Sequence, residues 1–458
     1  MPGMNDIDRS ALTTLLAEEQ QRFTDTHPRA RAAAEAAGAM VGGVPMTWMA
    51  KWAGGFPLVQ ATAAGNVISD IDGHSYLDFA LGDTGAMAGH SPAPTVAALM
   101  RRASVDGGLT TMLPSEDAPW VAAELARRFG VPQWSFALSA TDANRWALRL
   151  ARMVTGRPKV AAFAYCYHGT VDETFVVRAD DGRTLPRTGN VGPAVPVDHT
   201  TRVAEFNDLE SVEQALAHGD VACLLMEPAL TNIGIVLPED GFLQGVRELC
   251  DRHGTLLLND ETHTFSAGPG GMTGELGLHP DIVVIGKSIA GGVPIGAYGI
   301  SAELAARVDH AVATQEVDLI DVGGVGGTLA GNALSLAAAR ATLEQVLTDE
   351  AFVSMCALGE RFTAGVQQVI DRHGLAWSVV GLGARSEYRF CSPAPRTGTR
   401  SAAAEDPDVE TYLHLALLNR GVLITPFHNM ALMCPATTAA DVDAHTREFG
   451  AVVDALVG

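Results

Sequence analysis

A chain of 458 residues, 47% hydrophobic and 18% charged, has a globular composition and is too long for a single hydrophobic core. Its formal net charge of −22 repels phosphate backbones and anionic lipid, which excludes nucleic acid and membrane surfaces as expected partners. Six cysteines without CxxC pairs, and no Cys/His cluster at zinc spacing, predict reduced thiols and no metal site. The polar, acidic start lacks the basic residues and apolar stretch of a secretory signal, so a cytoplasmic protein is expected.

Leu12, Leu15, Leu16 and Phe23 recur at helical spacing, and an Ala-rich stretch follows from Ala30 to Ala37. Gly42-Gly43-Val44-Pro45 breaks that pattern. From Val67 to Phe79 the chain alternates around Asp72-Gly73, which predicts a small meander. Between about residues 115 and 300, short apolar runs alternate with amphipathic stretches. The runs are Trp134–Leu138, Val160–Ala164, Val221–Met226, Thr255–Asn259 and Ile282–Ile285. They are continuous, as expected of strands covered on both faces of a parallel sheet. Asn207 or Asp208 caps an intervening helix, and Gly254 ends another. The expected fold class is α/β with βα units and a mostly parallel sheet. A helix from Asn332 to about Val346 opens a second, smaller domain that recruits the N-terminal segment, and Ser392–Pro407 reads as a loop. The expected division is 1–80 for the N-terminal segment, 81–335 for a large domain, and 336–458 for a small one.

Open α/β sheets bind ligands at the carboxyl ends of their strands. The residues there are Gly286-Lys287-Ser288, Asp260-Glu261, Glu227-Pro228, and Ser139-Ala140-Thr141-Asp142 opening a helix. A lysine at a strand end suits Schiff-base chemistry. An acid on a neighbouring strand can pair with a pyridinium nitrogen and keep the ring an electron sink. A helix N-terminus offers a phosphate site. Together these meet the needs of pyridoxal 5′-phosphate (PLP).

The ordered strings Gly65-Asn66-Val67, Asp70-Ile71-Asp72-Gly73, Gly89-His90, Tyr167-His168-Gly169, Met226-Glu227-Pro228, Asn259-Asp260-Glu261, Gly286-Lys287 and Gly326–Asn332 run over nearly the whole chain. With them the chain resembles the class III PLP-dependent aminotransferases of fold type I, most closely the branch that holds glutamate semialdehyde aminomutase and the omega-transaminases. The resemblance implies a large domain with a mostly parallel central sheet flanked by helices, and a smaller α+β domain built from both chain ends. It implies a Schiff base on Lys287, which also moves the substrate proton, and Asp260 on the pyridine nitrogen. It places Tyr167 over the ring with His168 beside it, and the phosphate on Ser139, Ala140 and Thr141. Glu227 stands on the ring's hydroxyl side. Thr262 takes the place of a valine on the opposite face. Thr328 reaches the phosphate of a neighbouring subunit, which implies a homodimer. By itself, Thr328 equally reads as a cap for the helix that follows.

The chain departs from the family at its carboxylate anchor. Bidentate recognition favours arginine, yet Gly42–Trp52 carries Met46, Trp48, Met49 and Trp52, and Leu423–Met433 carries Phe427 and His428. Trp48 and Phe427 are the expected apolar substrate contacts. Arg385, Arg389, Arg396 and Arg400 lie in or near the Pro/Gly segment, and Arg389 is the expected mobile anchor. This pattern predicts ping-pong transamination from a hydrophobic amine or a β- or ω-amino acid to a keto acid such as pyruvate. An aminomutase, an epimerase and an inactive scaffold are the other readings weighed.

Overall fold

The computed structural model describes residues 7–314 and 317–458. Two compact units divide the chain. The first holds the chain up to Pro92 together with Val353–Ala394 and Ala404–Gly458, and the second holds Ala93–Phe352 with Pro395–Ala403.

The second unit is built on a seven-stranded sheet. Its strands in chain order are β1 (Gln133–Ala137), β2 (Lys159–Phe163), β3 (Thr201–Ala204), β4 (Val221–Met226), β5 (Leu256–Asp260), β6 (Ile282–Gly286) and β7 (Gly296–Ile300). They lie in the order β1-β7-β6-β5-β4-β2-β3. Strands β6, β5, β4, β2 and β3 pair in parallel. Strand β7 runs antiparallel to both of its neighbours. Every residue of β4, β5 and β6 is buried, because helices and loops cover both faces. One face packs Phe163, Phe206 and Phe242 edge to face. The other packs Leu148, Leu258 and Val284.

All five apolar runs form strands. The sequence reading missed β3 and β7. Strand β7 was hidden in a glycine-rich stretch, where glycine weakens the strand signal. A Cβ on Gly296 would stand 2.2 Å from the Ser139 carbonyl oxygen, so this strand can pass the turn at Ser139 only without a side chain. Asp208, not Asn207, caps the helix Leu209–Leu216, accepting from the Ser211 amide at 3.0 Å. The segment read as a loop between Ser392 and Pro407 contains a short helix, Gly398–Ala402. It is fixed because Glu205 accepts from the Gly398 amide at 2.9 Å. The helix Ala333–Gln345 belongs to the second unit. Its cap is Asn332, whose Oδ1 accepts from the Ser335 amide at 2.8 Å, so Thr328 does not cap it.

The first unit contains the helices Arg9–Thr26 and Pro28–Glu35 and two small sheets. The meander is present: Val67–Asp70 pairs antiparallel with Ser75–Asp78 across the Asp72-Gly73 turn. In the second small sheet, Arg385–Arg389 lies between Ser378–Leu382 and Met430–Leu432, and all five of its residues are buried. Arg385 and Arg389 are therefore held in a strand ladder, not in a mobile segment. Arg396 instead pairs with Glu239 at the surface of the second unit. Among the described residues no helix is long and apolar enough to cross a membrane.

Candidate active site

Strands β5 and β6 are parallel neighbours, so the residues that leave their carboxyl ends emerge side by side. Asp260 ends β5 and Lys287 follows β6. Lys287 has φ 51°, a left-handed conformation sparsely populated by residues with a side chain. Such strain concentrates where a side chain must be aimed. The half-buried Lys287 Nζ lies 2.8 Å from His263 Nε2. The sequence offers no role for His263, because nothing in the string Asp260-Glu261-Thr262-His263 says that the next strand's lysine folds against it.

Asp260 is 3% exposed. Its Oδ2 takes His168 Nδ1 at 2.9 Å and the Asn144 side-chain amide at 2.8 Å, and its Oδ1 accepts from the Thr262 amide at 3.1 Å. Asn144 also donates to the His168 carbonyl at 3.2 Å, so one side chain braces both partners. Burial favours the neutral acid, but hydrogen bonding to His168, the charge of that ring, and Asn144 hold Asp260 below the usual carboxylate range. Burial likewise disfavours the His168 cation, yet its neighbours Cys166 and Asp260 raise its proton affinity well above the ordinary value. Among the described residues, no Lys or Arg forms an ion pair with Asp260. The site thus keeps a buried carboxylate ionised.

Glu261, also fully buried, does different work. It accepts from the Met272 and Thr273 amides at 3.1 and 2.6 Å and from the Thr264 hydroxyl at 2.5 Å, capping the helix Gly271–Glu275. Burial raises its pKa against these hydrogen bonds. Of two adjacent acids, one is a helix cap and the other faces the site.

The helix α1 (Ala140–Thr155) starts directly after β1. Ser139 caps it, accepting from the Asp142 amide at 3.2 Å. The amides of Ala140 and Thr141 are among the first of the helix, which have no partner inside it and carry the positive end of its dipole. Gly169 closes in from the Tyr167-His168-Gly169 string. It has φ 74°, and a Cβ there would stand 2.0 Å from Thr141 Oγ1. Thr141 Oγ1 in turn accepts from the Thr170 amide at 3.1 Å. Tyr167 is half-buried and packs edge to face on Phe175, with centroids 5.9 Å apart. Glu227 is buried after β4 and accepts from the Thr231 hydroxyl. Thr328 is exposed in the turn before Asn332.

In the first unit, Trp48 and Phe427 are in contact, with ring centroids 5.8 Å apart. Lys51 Nζ lies 5.4 Å from the Phe427 ring centroid, a cation the sequence reading did not single out.

A strand-end lysine, a buried ionised acid and a helix N-terminus on one sheet edge define a PLP-type active site of the fold type I class. A family model described as aminotransferase class-III matches residues 48–453, and the chain belongs to that family. It is accordingly a PLP-dependent enzyme. The solved structure of a glutamate-1-semialdehyde-aminomutase from Pseudomonas aeruginosa PAO1 is 47% identical, with a TM-score of 0.95, covering 99% of this chain and 100% of that one. A glutamate-1-semialdehyde 2,1-aminomutase of Bordetella avium (strain 197N) is 34% identical over 379 residues, 81% of this chain and 86% of the relative. An omega-transaminase structure from Sphaerobacter thermophilus is 29% identical, with a TM-score of 0.84, covering 94% of this chain and 98% of that one.

The residues present fit PLP. Asp260 offers a buried anion to a pyridinium nitrogen. Thr262, buried two residues further on, lies beside that carboxylate, its amide donating to Asp260 Oδ1 at 3.1 Å.

Proposed function

We propose that the chain is a transaminase that takes the amino group of a hydrophobic amine or a β- or ω-amino acid and passes it to a keto acid such as pyruvate. PLP, when bound, supplies an electrophilic carbon for the amine and a ring that spreads negative charge. Asp260 keeps the ring nitrogen protonated, and His168 and Asn144 hold Asp260 in place and in its charged form. The amides of Ala140 and Thr141, with the Thr141 hydroxyl, bind the phosphate. Tyr167 and Thr262 cover the ring from its two sides, and Glu227 orients its hydroxyl edge. Lys287 holds the cofactor and moves the substrate proton. His263, 2.8 Å from Nζ, accepts a proton from the Lys287 ammonium and leaves a free amine to react. Thr328, exposed in one chain, serves the phosphate of a second copy in a homodimer.

The observation that carries the substrate reading is the contact of Trp48 with Phe427 in segments that hold no arginine. The role proposed for Trp48 and Phe427 is contact with an apolar substrate group, worth about 25 cal/mol per Å² of apolar surface covered. Arg389 is the carboxylate anchor proposed. A second reading, migration of an amino group within one substrate, is favoured by the 47% identical aminomutase structure. The PLP-loaded enzyme is mixed with aromatic β-amino acids, ω-amines or glutamate-1-semialdehyde, with and without pyruvate. Alanine formed at the expense of the donor, and only with pyruvate present, supports transamination. Turnover of the semialdehyde without an acceptor replaces it with the mutase reading.

A further inference from the structure

Within the first unit, two histidines from distant parts of the chain meet one carboxylate. His27 sits between the helices Arg9–Thr26 and Pro28–Glu35, Asp70 ends one arm of the meander, and His74 follows its turn. His27 Nε2 lies 3.4 Å and His74 Nδ1 3.1 Å from Asp70 Oδ2. These three ligand atoms all lie within 4.8 Å of one another. The carboxylate is clamped, because its Oδ1 accepts from the Gly73 and His74 amides at 2.7 and 2.9 Å. The His27 tautomer is also set. Nδ1 lies 2.8 Å from the Phe23 carbonyl oxygen, which can only accept, so Nδ1 carries the proton and Nε2 presents its lone pair inward.

With a neutral His27 the cluster is one positive centre, a proton or a metal ion, short. Tyr76 has one hydroxyl proton and two acceptors in reach, Asp70 Oδ2 at 2.7 Å and His27 Nε2 at 2.8 Å. If the hydroxyl donates to Asp70, the neutral His27 Nε2 faces a phenolic oxygen lone pair to lone pair. If it donates to His27, the phenolic oxygen faces the carboxylate in the same way. One added positive centre among these atoms removes the conflict in either case.

We propose that His27 Nε2, Asp70 Oδ2 and His74 Nδ1 form a binding site for a borderline divalent metal ion, zinc in the first instance. Two imidazoles and a carboxylate are a zinc-type donor set, whereas magnesium and calcium prefer oxygen alone. Tetrahedral zinc with bonds of about 2.05 Å sets its ligand atoms roughly 3.3 Å apart, close to the 3.4 and 3.1 Å found here. The third edge closes by rotation of His74, whose side chain is 40% exposed and gives the ion a path from solvent. The Phe23 carbonyl on His27 Nδ1 and the Tyr76 hydroxyl on Asp70 supply the outer hydrogen bonds that orient metal ligands. Tyr76 stands too close to Asp70 Oδ2 to share the ion with it, so the fourth position goes to water. The ion would tie the N-terminal helices to the meander turn. None of these residues is among those assigned to PLP, and failure of the metal proposal would leave the proposed function untouched.

The test uses the PLP-loaded full chain after treatment with a chelator and desalting. Zinc chloride is titrated into the wild type and into His74→Ala and His27→Gln, with calorimetry, zinc content and melting temperature as readouts. The expected result is one zinc equivalent and a raised melting temperature in the wild type. His74→Ala, a change at a half-exposed ring, retains the fold and weakens binding roughly tenfold or more. Anomalous diffraction from a zinc-soaked crystal places the peak between the three side chains. No stoichiometric zinc in the wild type, equal binding by His74→Ala, or a peak elsewhere overturns the proposal.

Discussion

Replacing Asp260 by Asn removes the negative charge that the PLP pocket keeps buried, while preserving shape. In the native chain the carboxylate is 3% exposed and meets His168 Nδ1 at 2.9 Å and Asn144 at 2.8 Å. The amide presents an NH₂ group to partners that already donate, and it leaves a ring nitrogen without its counter-ion. Removing one partner of a buried charge pair costs about 3–5 kcal/mol. At 1.36 kcal/mol per tenfold in rate, that predicts a slowing of the amino-transfer half-reaction by roughly 10²- to 10⁴-fold. The assay is single-turnover absorbance of the PLP-loaded variant against a saturating donor, with bound PLP and melting temperature measured alongside. A variant that binds PLP stoichiometrically, melts like the wild type and transfers within about fivefold of its rate refutes the assignment of Asp260 to the ring nitrogen.

Lys287→Ala should abolish turnover while still binding PLP, and borohydride should fix the cofactor covalently to the wild type but not to this variant, as mass spectrometry of the intact chain reads. His263→Gln should keep the covalent attachment but slow the half-reaction roughly tenfold or more, since the group 2.8 Å from Lys287 Nζ is gone; an unchanged half-reaction rate removes His263 from the mechanism. Trp48→Ala and Phe427→Ala should raise KM for an aromatic donor more than kcat falls, and leave the reaction with pyruvate nearly unchanged; equal effects on both half-reactions argue against a donor-side contact. His445 is buried against Phe79, Phe362 and Phe449, and neither ring nitrogen has a hydrogen-bond partner in the protein. Burial pushes its pKa from 6.5 down to about 3. The unfolded chain therefore binds this proton first as pH falls, so the stability present above pH 6.5 is lost progressively toward pH 3. Between pH 8 and pH 5 the loss attributable to His445 is about 2 kcal/mol. His445→Phe should shrink the fall in chemical-denaturation stability over that range by a similar amount, and an unchanged slope refutes the neutral, buried imidazole.

The continuous apolar runs that became β1, β2, β4, β5 and β6 were legible because strands covered on both faces need unbroken hydrophobicity, a local property of the chain. The chemistry at their ends was legible for a related reason. Parallel strands deliver the residues after them to one edge, so Lys287, Asp260 and the turn at Ser139–Thr141 could be placed together from order alone. Strand β7 was not legible, because its glycines answer a steric demand set by Ser139, more than 150 residues earlier in the chain. The division of labour between Asp260 and Glu261 also waited for the fold, since only there does Glu261 meet the amides of Met272 and Thr273. Neither the His263–Lys287 contact nor the meeting of His27 with Asp70 and His74 leaves a periodic trace in sequence. Hydrophobic pattern and capping are short-range signals that a string records directly. The pairing of polar side chains from separate elements depends on register and distance, and those exist only once the chain has packed.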